Sequence, residues 1–200
     1  EHESKFLADA YLLEKDDMEL PWRRKQNVNK GSFGHAVVEC GEKPGAANIA
    51  ANAALNFGAG LVSLVGTDRS NSMSIMASME MPGNTSAVSI GSGLGRENKD
   101  CEKYLCWLEE NKKIPFVLDA DIFYHREIKT FLEHECSDEK KCRAILTPHP
   151  KEFSVLLENC GLGTFTTAQA VEQRIELAEK FAENFKGCVL ILKGAVTTIA

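Results

Sequence analysis

Apolar and polar positions alternate in blocks along most of this chain. Between residues 30 and 66 an extended apolar piece (35–40) leads into a glycine-bearing turn (41–45). A small-residue helix (46–57), a Gly58-Ala59-Gly60 stop and a second apolar run (61–65) follow. The pattern predicts a strand, a crossover helix and a strand. Such a connection is too long for a hairpin, so the two strands are predicted to be parallel neighbours in one sheet. Ala46, Ala47, Ala50, Ala51, Ala53 and Ala54 let the helix lie close to that sheet and leave its first turn open to a ligand.

The alternation continues. Residues 87–90 form a short apolar run that ends in Gly91-Ser-Gly93-Leu-Gly95. From 97 to 112, Cys101, Tyr104, Leu105 and Leu108 fall at i, i+3, i+4 and i+7, one face of an amphipathic helix. Strands are predicted at 115–118 and 143–146, with a short helix at 125–134 between them. A helix from Thr166 or Thr167 to 186 is expected to bury Val171, Ile175, Ala178, Phe181 and Phe185. Gly187 stops it, and 188–192 reads as a strand buried on both sides. The loosely spaced Met73, Ile75, Met76 and Met79 leave 68–80 as helix or loop, and 195–200 starts one more strand. Strands alternating with helices predict an α/β fold with a mostly parallel sheet flanked by helices on both faces.

Composition narrows the possible partners. A net charge of −6 gives no cationic footprint for nucleic acid or anionic membrane. No apolar run reaches the length of a membrane span, and the N-terminus does not read as a signal peptide, so the cytoplasm is the expected compartment. The seven cysteines are scattered, odd in number and mostly set among apolar neighbours, which reads as reduced core thiols. His134, Cys136 and Cys142 lack a CxxC pair, so no metal site is assigned. Residues 1–29 read as a charged lead-in or linker, distinct from the domain at 30–200.

The unusual residues collect where strands end. The loop 41–47 opens a helix whose positive end attracts anions, although it spells neither a Walker loop nor GxGxxG, and a plain strand-to-helix turn is the other reading. The glycine turn 91–95 leaves the backbone unblocked, or is simply a flexible connection. Asp119 and Asp121 follow a parallel strand, at the rim where open α/β sheets bind ligands, or else cap the next helix. Prolines on either side of His149 hold it in a stiff rim turn, which favours ligand contact over a structural role. Lys193-Gly194 ends another strand. In a parallel sheet these rims share one side of the molecule, and glycine loops with a lysine suit a phosphorylated ligand.

These turns, in this order, resemble the dehydratase domain of NAD(P)H-hydrate repair enzymes in the ribokinase-like superfamily. The matching residues are Lys30-Gly-Ser-Phe-Gly-His35, Pro44-Gly-Ala46-Ala47, Gly58-Ala-Gly60-Leu-Val, Ile90-Gly-Ser-Gly93-Leu-Gly95, Leu118-Asp-Ala-Asp121, Leu146-Thr-Pro-His149-Pro-Lys-Glu152-Phe and Leu192-Lys193-Gly194-Ala195. The stretch 17–24 (DMELPWRR) is similar to the linker that follows the epimerase domain in bifunctional forms. The resemblance implies a three-layer α/β/α ribokinase-like fold and repair of NADH and NADPH hydrated at C6. In bacterial-type members the terminal phosphoryl group of ADP passes to the C6 hydroxyl, phosphate leaves, and NAD(P)H, AMP and phosphate result. It further implies that Ala46, Gly93 and His149 line the hydrate's pocket and that Lys193, Gly194 and Ala195 begin the nucleotide site. ADP or ATP is the implied co-substrate, Mg²⁺ the implied helper, and a homo-oligomer the implied assembly.

One departure matters. In the family a GGTGD-type motif, which supplies an anion hole and the catalytic base, follows the lysine-glycine strand. No such motif occurs up to Ala200, so the base is expected C-terminal to Ala200, in a chain truncated relative to the family. A smaller departure is Ile122-Phe123, where alanine and leucine are usual. The alternatives are an ATP-dependent kinase of a small alcohol, of the hydroxymethylpyrimidine or thiazole type, and a nucleotide-binding fragment without turnover.

Overall fold

The computed structural model describes residues 10–18, 26–136 and 142–200. Most of the linker-like stretch 17–24 and residues 137–141 between Cys136 and Cys142 lie outside the described residues. The elements in chain order are β1 (His35–Glu39), α1 (Pro44–Phe57), β2 (Leu61–Val65), β3 (Met76–Ser78), β4 (Ala87–Ile90), α2 (Asp100–Glu110) and β5 (Phe116–Leu118). They continue with α3 (Glu127–Glu135), β6 (Ala144–Leu146), α4 (Pro150–Asn159), α5 (Thr167–Glu172), α6 (Arg174–Asn184), β7 (Cys188–Leu192) and β8 (Thr198–Ile199). The strands make one sheet in the order β3-β2-β1-β4-β5-β6-β7-β8. All pairs are parallel except β7 with β8.

Side chains alternate across this sheet, and each face has its own core. On one face Val38, Val62 and Leu64 pack under Ala47 and Ala51 of α1. On the other, Val37, Ile90, Phe116, Leu118, Leu146 and Leu190 pack against apolar residues of α2, α3, α4, α5 and α6. Helices therefore flank both faces of the α/β sheet, as expected. Because α1 ends over β1 and β2, the α1 face of β5 to β7 is more open: Val117 and Val189 are part-buried and Ile145 is 37% exposed.

Strand order sets the site. The chain runs outward from β1 to β2 and β3, then returns to place β4 on the other side of β1. The loops leaving β1 and β4 diverge at this reversal, and open α/β sheets bind ligands in the crevice so formed.

Several expectations shift. The stretch 68–80 contains the edge strand β3, paired with β2 through Ser63 and Met76. The predicted helix at 166–186 is two helices, broken at Gln173. Ala170, Leu177, Ala178, Phe181 and Phe185 are buried, whereas Val171 and Ile175 are 44% and 45% exposed. The buried stripe keeps Ala178, Phe181 and Phe185 and takes in the small Ala170 and Leu177 in place of Val171 and Ile175. The helix expected at 125–134 begins at Glu127, and a 3-10 turn (Ala120–Tyr124) precedes it. All seven cysteines are free thiols, five of them buried. Among the described residues no helix is long and apolar enough to cross a membrane.

Candidate functional site

The rim is assembled from the loops that follow β1, β4, β5, β6 and β7. At the reversal between β1 and β4, the Lys43 N–H donates to Gly93 O (2.9 Å) and the Glu42 N–H to Leu94 O (3.3 Å), which ties the α1 entrance to the glycine turn. The contact is close because Gly93 has no side chain. A Cβ there would lie 2.4 Å from Lys43 O and 3.2 Å from the Ala46 Cβ, and its φ is +84°. Ala46 and Gly93, expected from the sequence to share a pocket, are thus neighbours. Gly93→Ala is expected to push α1 and the turn apart, costing about 1–2 kcal/mol of stability and most ligand affinity. Urea unfolding and ligand titration of that variant measure both effects.

The turn is held from every side. Gly91 N–H donates to Glu39 Oε2 (3.4 Å), Gly95 N–H to Asp121 Oδ2 (3.1 Å), and His125 Nε2–H to Gly95 O (2.9 Å). The N–H groups of Ser92 and Gly93 have no partner among the described residues. Successive unpaired N–H groups beside a helix N-terminus form a cradle for an anion. Lys43 Nζ and Arg96 Nε stand 3.8 and 3.7 Å from the Asp121 carboxylate, and the Arg96 guanidinium lies over the Tyr124 ring.

Glu39 is a rim residue that sequence reasoning missed, because it sits inside an apolar run. It is 2% exposed at the end of β1. Burial pushes its carboxyl up to about 7; the Gly91 N–H pulls it back slightly, while Asp100 and Asp121 push it further up. Behind it, burial raises the Cys101 thiol and the Tyr104 hydroxyl to about 12.

On the β5 to β7 side, Asp119 Oδ1 accepts from Thr147 Oγ1 (2.9 Å) and from Lys193 Nζ (2.6 Å). Asp119 is not a helix cap, since it makes no capping bond to the turn that follows. Between the two aspartates, Ala120 takes a left-handed conformation, φ 55°. That costs about 1–2 kcal/mol in a residue with a Cβ. The kink sends Asp119 to Lys193 and Asp121 to the glycine turn, so the 119–121 turn bridges the two groups. Lys193 is 43% and Asp119 27% exposed at the side chain. An ion pair this exposed adds at most about 1 kcal/mol to folding.

His149 has a local task that its flanking prolines did not reveal. It is the N-cap of α4: its Nδ1 accepts from the N–H groups of Lys151 (3.2 Å) and Glu152 (3.3 Å), and Glu152 Oε2 accepts from His149 N–H (2.8 Å). The ring proton therefore sits on Nε2, 3.0 Å from Glu152 Oε1. The capped ring remains 46% exposed, and Lys193 N–H donates to the neighbouring Pro148 O (2.9 Å). Gly194 and Ala195 lie exposed in the bend after Lys193.

The described residues contain no group of three or more His, Cys, Asp or Glu side chains placed to hold a metal ion. A cavity of about 530 Å³ is lined by Lys30, Phe33, Leu55 and Gly60 among others, at the opposite ends of β1 and β2, and holds none of the rim residues.

Known proteins share much of this sequence and its fold. The chain is 39% identical over 198 residues to the bifunctional NAD(P)H-hydrate repair enzyme Nnr of Helicobacter pylori, an alignment covering 96% of this chain and 39% of that one. It is 29% identical to the ADP-dependent (S)-NAD(P)H-hydrate dehydratase of Streptococcus thermophilus, covering 88% of this chain and 65% of that protein. In three dimensions it matches a ribokinase-like superfamily protein from Enterococcus faecalis, with TM-score 0.58, 21% identity, and coverage of 88% of this chain and 63% of the other. The chain thus spans less than two thirds of the length of each. The family model for NAD(P)H-hydrate dehydratase matches residues 36–200, the whole sheet but for its first residue, and the chain belongs to that family.

Proposed function

We propose that this chain forms the substrate and nucleotide rim of an ADP-dependent NAD(P)H-hydrate dehydratase, a cytoplasmic lyase that restores hydrated nicotinamide cofactors. The observation that carries the reading is the single rim along which the 119–121 turn joins the glycine turn bearing Gly93 to Lys193. Ala46, Gly93 and the exposed face of His149 contact the hydrated dinucleotide, while Lys193, Gly194 and Ala195 receive the ADP phosphates. The 6-hydroxyl of the hydrate takes the terminal phosphoryl group of ADP, releasing AMP. Phosphate then leaves C6 with its bonding pair and a proton leaves C5, which re-forms the C5–C6 double bond. The phosphoryl step makes a good leaving group out of hydroxide. Unpaired N–H groups at Ser92 and Gly93 suit developing anionic charge. No residue here is assigned as base, magnesium is assigned no protein ligand, and residues 1–29 are read as the link from an epimerase domain.

The test supplies hydrated NADH with ADP or ATP and follows the return of reduced-nicotinamide absorbance together with AMP and phosphate. Recovery with ADP supports the reading. A stable phosphorylated alcohol, or ADP binding with no turnover in a protein extended to the length of its Streptococcus thermophilus relative, overturns it.

A further inference from the structure

We propose that Asp119 is the positioning residue of the nucleotide site, holding the Lys193 ammonium in place before a phosphate arrives. This rests on the reading that Lys193 meets the nucleotide. Lys193 alone would sweep solvent on its four-carbon stem. Here its Nζ is held at 2.6 Å by an oxygen that Thr147 Oγ1 also grips at 2.9 Å. All three residues are fixed at the backbone: Asp119 N–H to Ile90 O (3.0 Å), Thr147 N–H to Leu118 O (3.0 Å) and Lys193 N–H to Pro148 O (2.9 Å). The ends of β5, β6 and β7 therefore converge on one carboxylate oxygen.

An ammonium has three donors, and Asp119 occupies one, which leaves two for a ligand. Folding stability does not explain the arrangement. The pair is partly exposed, and it depends on the left-handed Ala120 that aims the carboxylate. A strained backbone serving a weak surface pair is the mark of a functional turn. Holding the lysine in advance removes its ordering cost from the binding step.

The sign of one substitution decides the matter. Asp119→Asn keeps the shape and a hydrogen bond from Thr147 but removes the charge that holds the lysine. If Asp119 only diluted the positive charge, its removal would tighten anion binding; if it positions Lys193, removal weakens it. ADP and adenosine are titrated calorimetrically into wild type, D119N, K193M, D119N/K193M and T147V. The expected result is an about tenfold weaker Kd for ADP in D119N with adenosine unchanged, no further loss in D119N/K193M beyond K193M, and a smaller loss in T147V. Thermal melting reports whether each variant is folded, and T147V carries the test if D119N is not. Equal or tighter ADP binding by D119N, equal losses for adenosine and ADP, or additive losses in the double variant overturn the proposal. Failure of the wild type to bind ADP removes the nucleotide-site reading itself, and this proposal with it.

Discussion

Replacing Arg143 by Met is expected to lower the unfolding free energy by about 3–5 kcal/mol, the usual cost of stranding one partner of a buried ion pair. Arg143 sits just before β6 and is 10% exposed at the side chain, with its partner Glu135 at 6%. Its Nε donates to Glu135 Oε2 at 3.0 Å and its Nη2 reaches the same oxygen. The remaining donors close the end of α2 and the loop after it: Nη2 to Leu108 O (2.8 Å), Nη1 to Asn111 O (3.2 Å) and to Ile114 O (2.8 Å). One side chain thus satisfies carbonyls that the C-terminus of α2 leaves open, while its plane lies over Phe116. Methionine fills the volume but supplies no donor. It leaves Glu135 buried, with Lys112 Nζ the remaining cation among the described residues, 3.9 Å from an Oε1 that already lacks a hydrogen bond. A companion variant, R143M/E135L, removes both charges and is expected to recover part of the loss, because the stranded carboxylate is gone while the α2 carbonyls stay open. Urea unfolding of the two variants measures this. A loss below 1 kcal/mol in R143M would show that the pair is solvated.

This network marks where sequence reading stops. Arg143 reads as the first residue of a strand, and nothing local says that it closes a helix more than thirty positions earlier. The same holds for Lys193 and Asp119, which lie 74 residues apart and meet only because β5, β6 and β7 are neighbours. What the sequence does carry is periodicity: Cys101, Tyr104, Leu105 and Leu108 are all buried as their spacing requires. Strand β3 escapes because it is three residues long at the sheet edge, with Met76 43% exposed and no burial pattern to read. The break at Gln173 escapes because residues 166–186 have helical periodicity throughout. At the site periodicity is silent. Ala46 and Gly93 have no side-chain chemistry, and their closeness follows from what a Cβ at Gly93 would strike. His149 is the mixed case, since its rim position is legible and its capping role needs coordinates.

The second large effect belongs to Glu39 and depends on pH. In the native state its carboxyl holds its proton up to about pH 7, while an ordinary glutamate releases it near 4.5. Between those values the folded chain binds more protons than the unfolded one, so stability falls as pH rises from about 4.5 through 7. The full difference is about 3 kcal/mol, from about 1.4 kcal/mol for each unit of displacement. Burial is the main cause, and it acts only on the charged form. Glu39→Gln replaces a neutral acid by a neutral amide of the same shape, and its carbonyl still accepts from Gly91 N–H. The variant is therefore expected to lie within about 1 kcal/mol of wild type at pH 5 and to exceed it by about 3 kcal/mol at pH 8. Denaturant unfolding at both values measures the difference. An equal gap at pH 5 and pH 8 would mean that Glu39 is already ionised across this range and that water reaches it from the rim. The gain at pH 8 also separates this carboxylate from Asp121, 9% exposed, whose oxygens face Lys43, Arg96 and the Gly95 N–H. Removing the charge of Asp121 would strand those donors, whereas removing that of Glu39 relieves a burial that the Gly91 N–H offsets only in part.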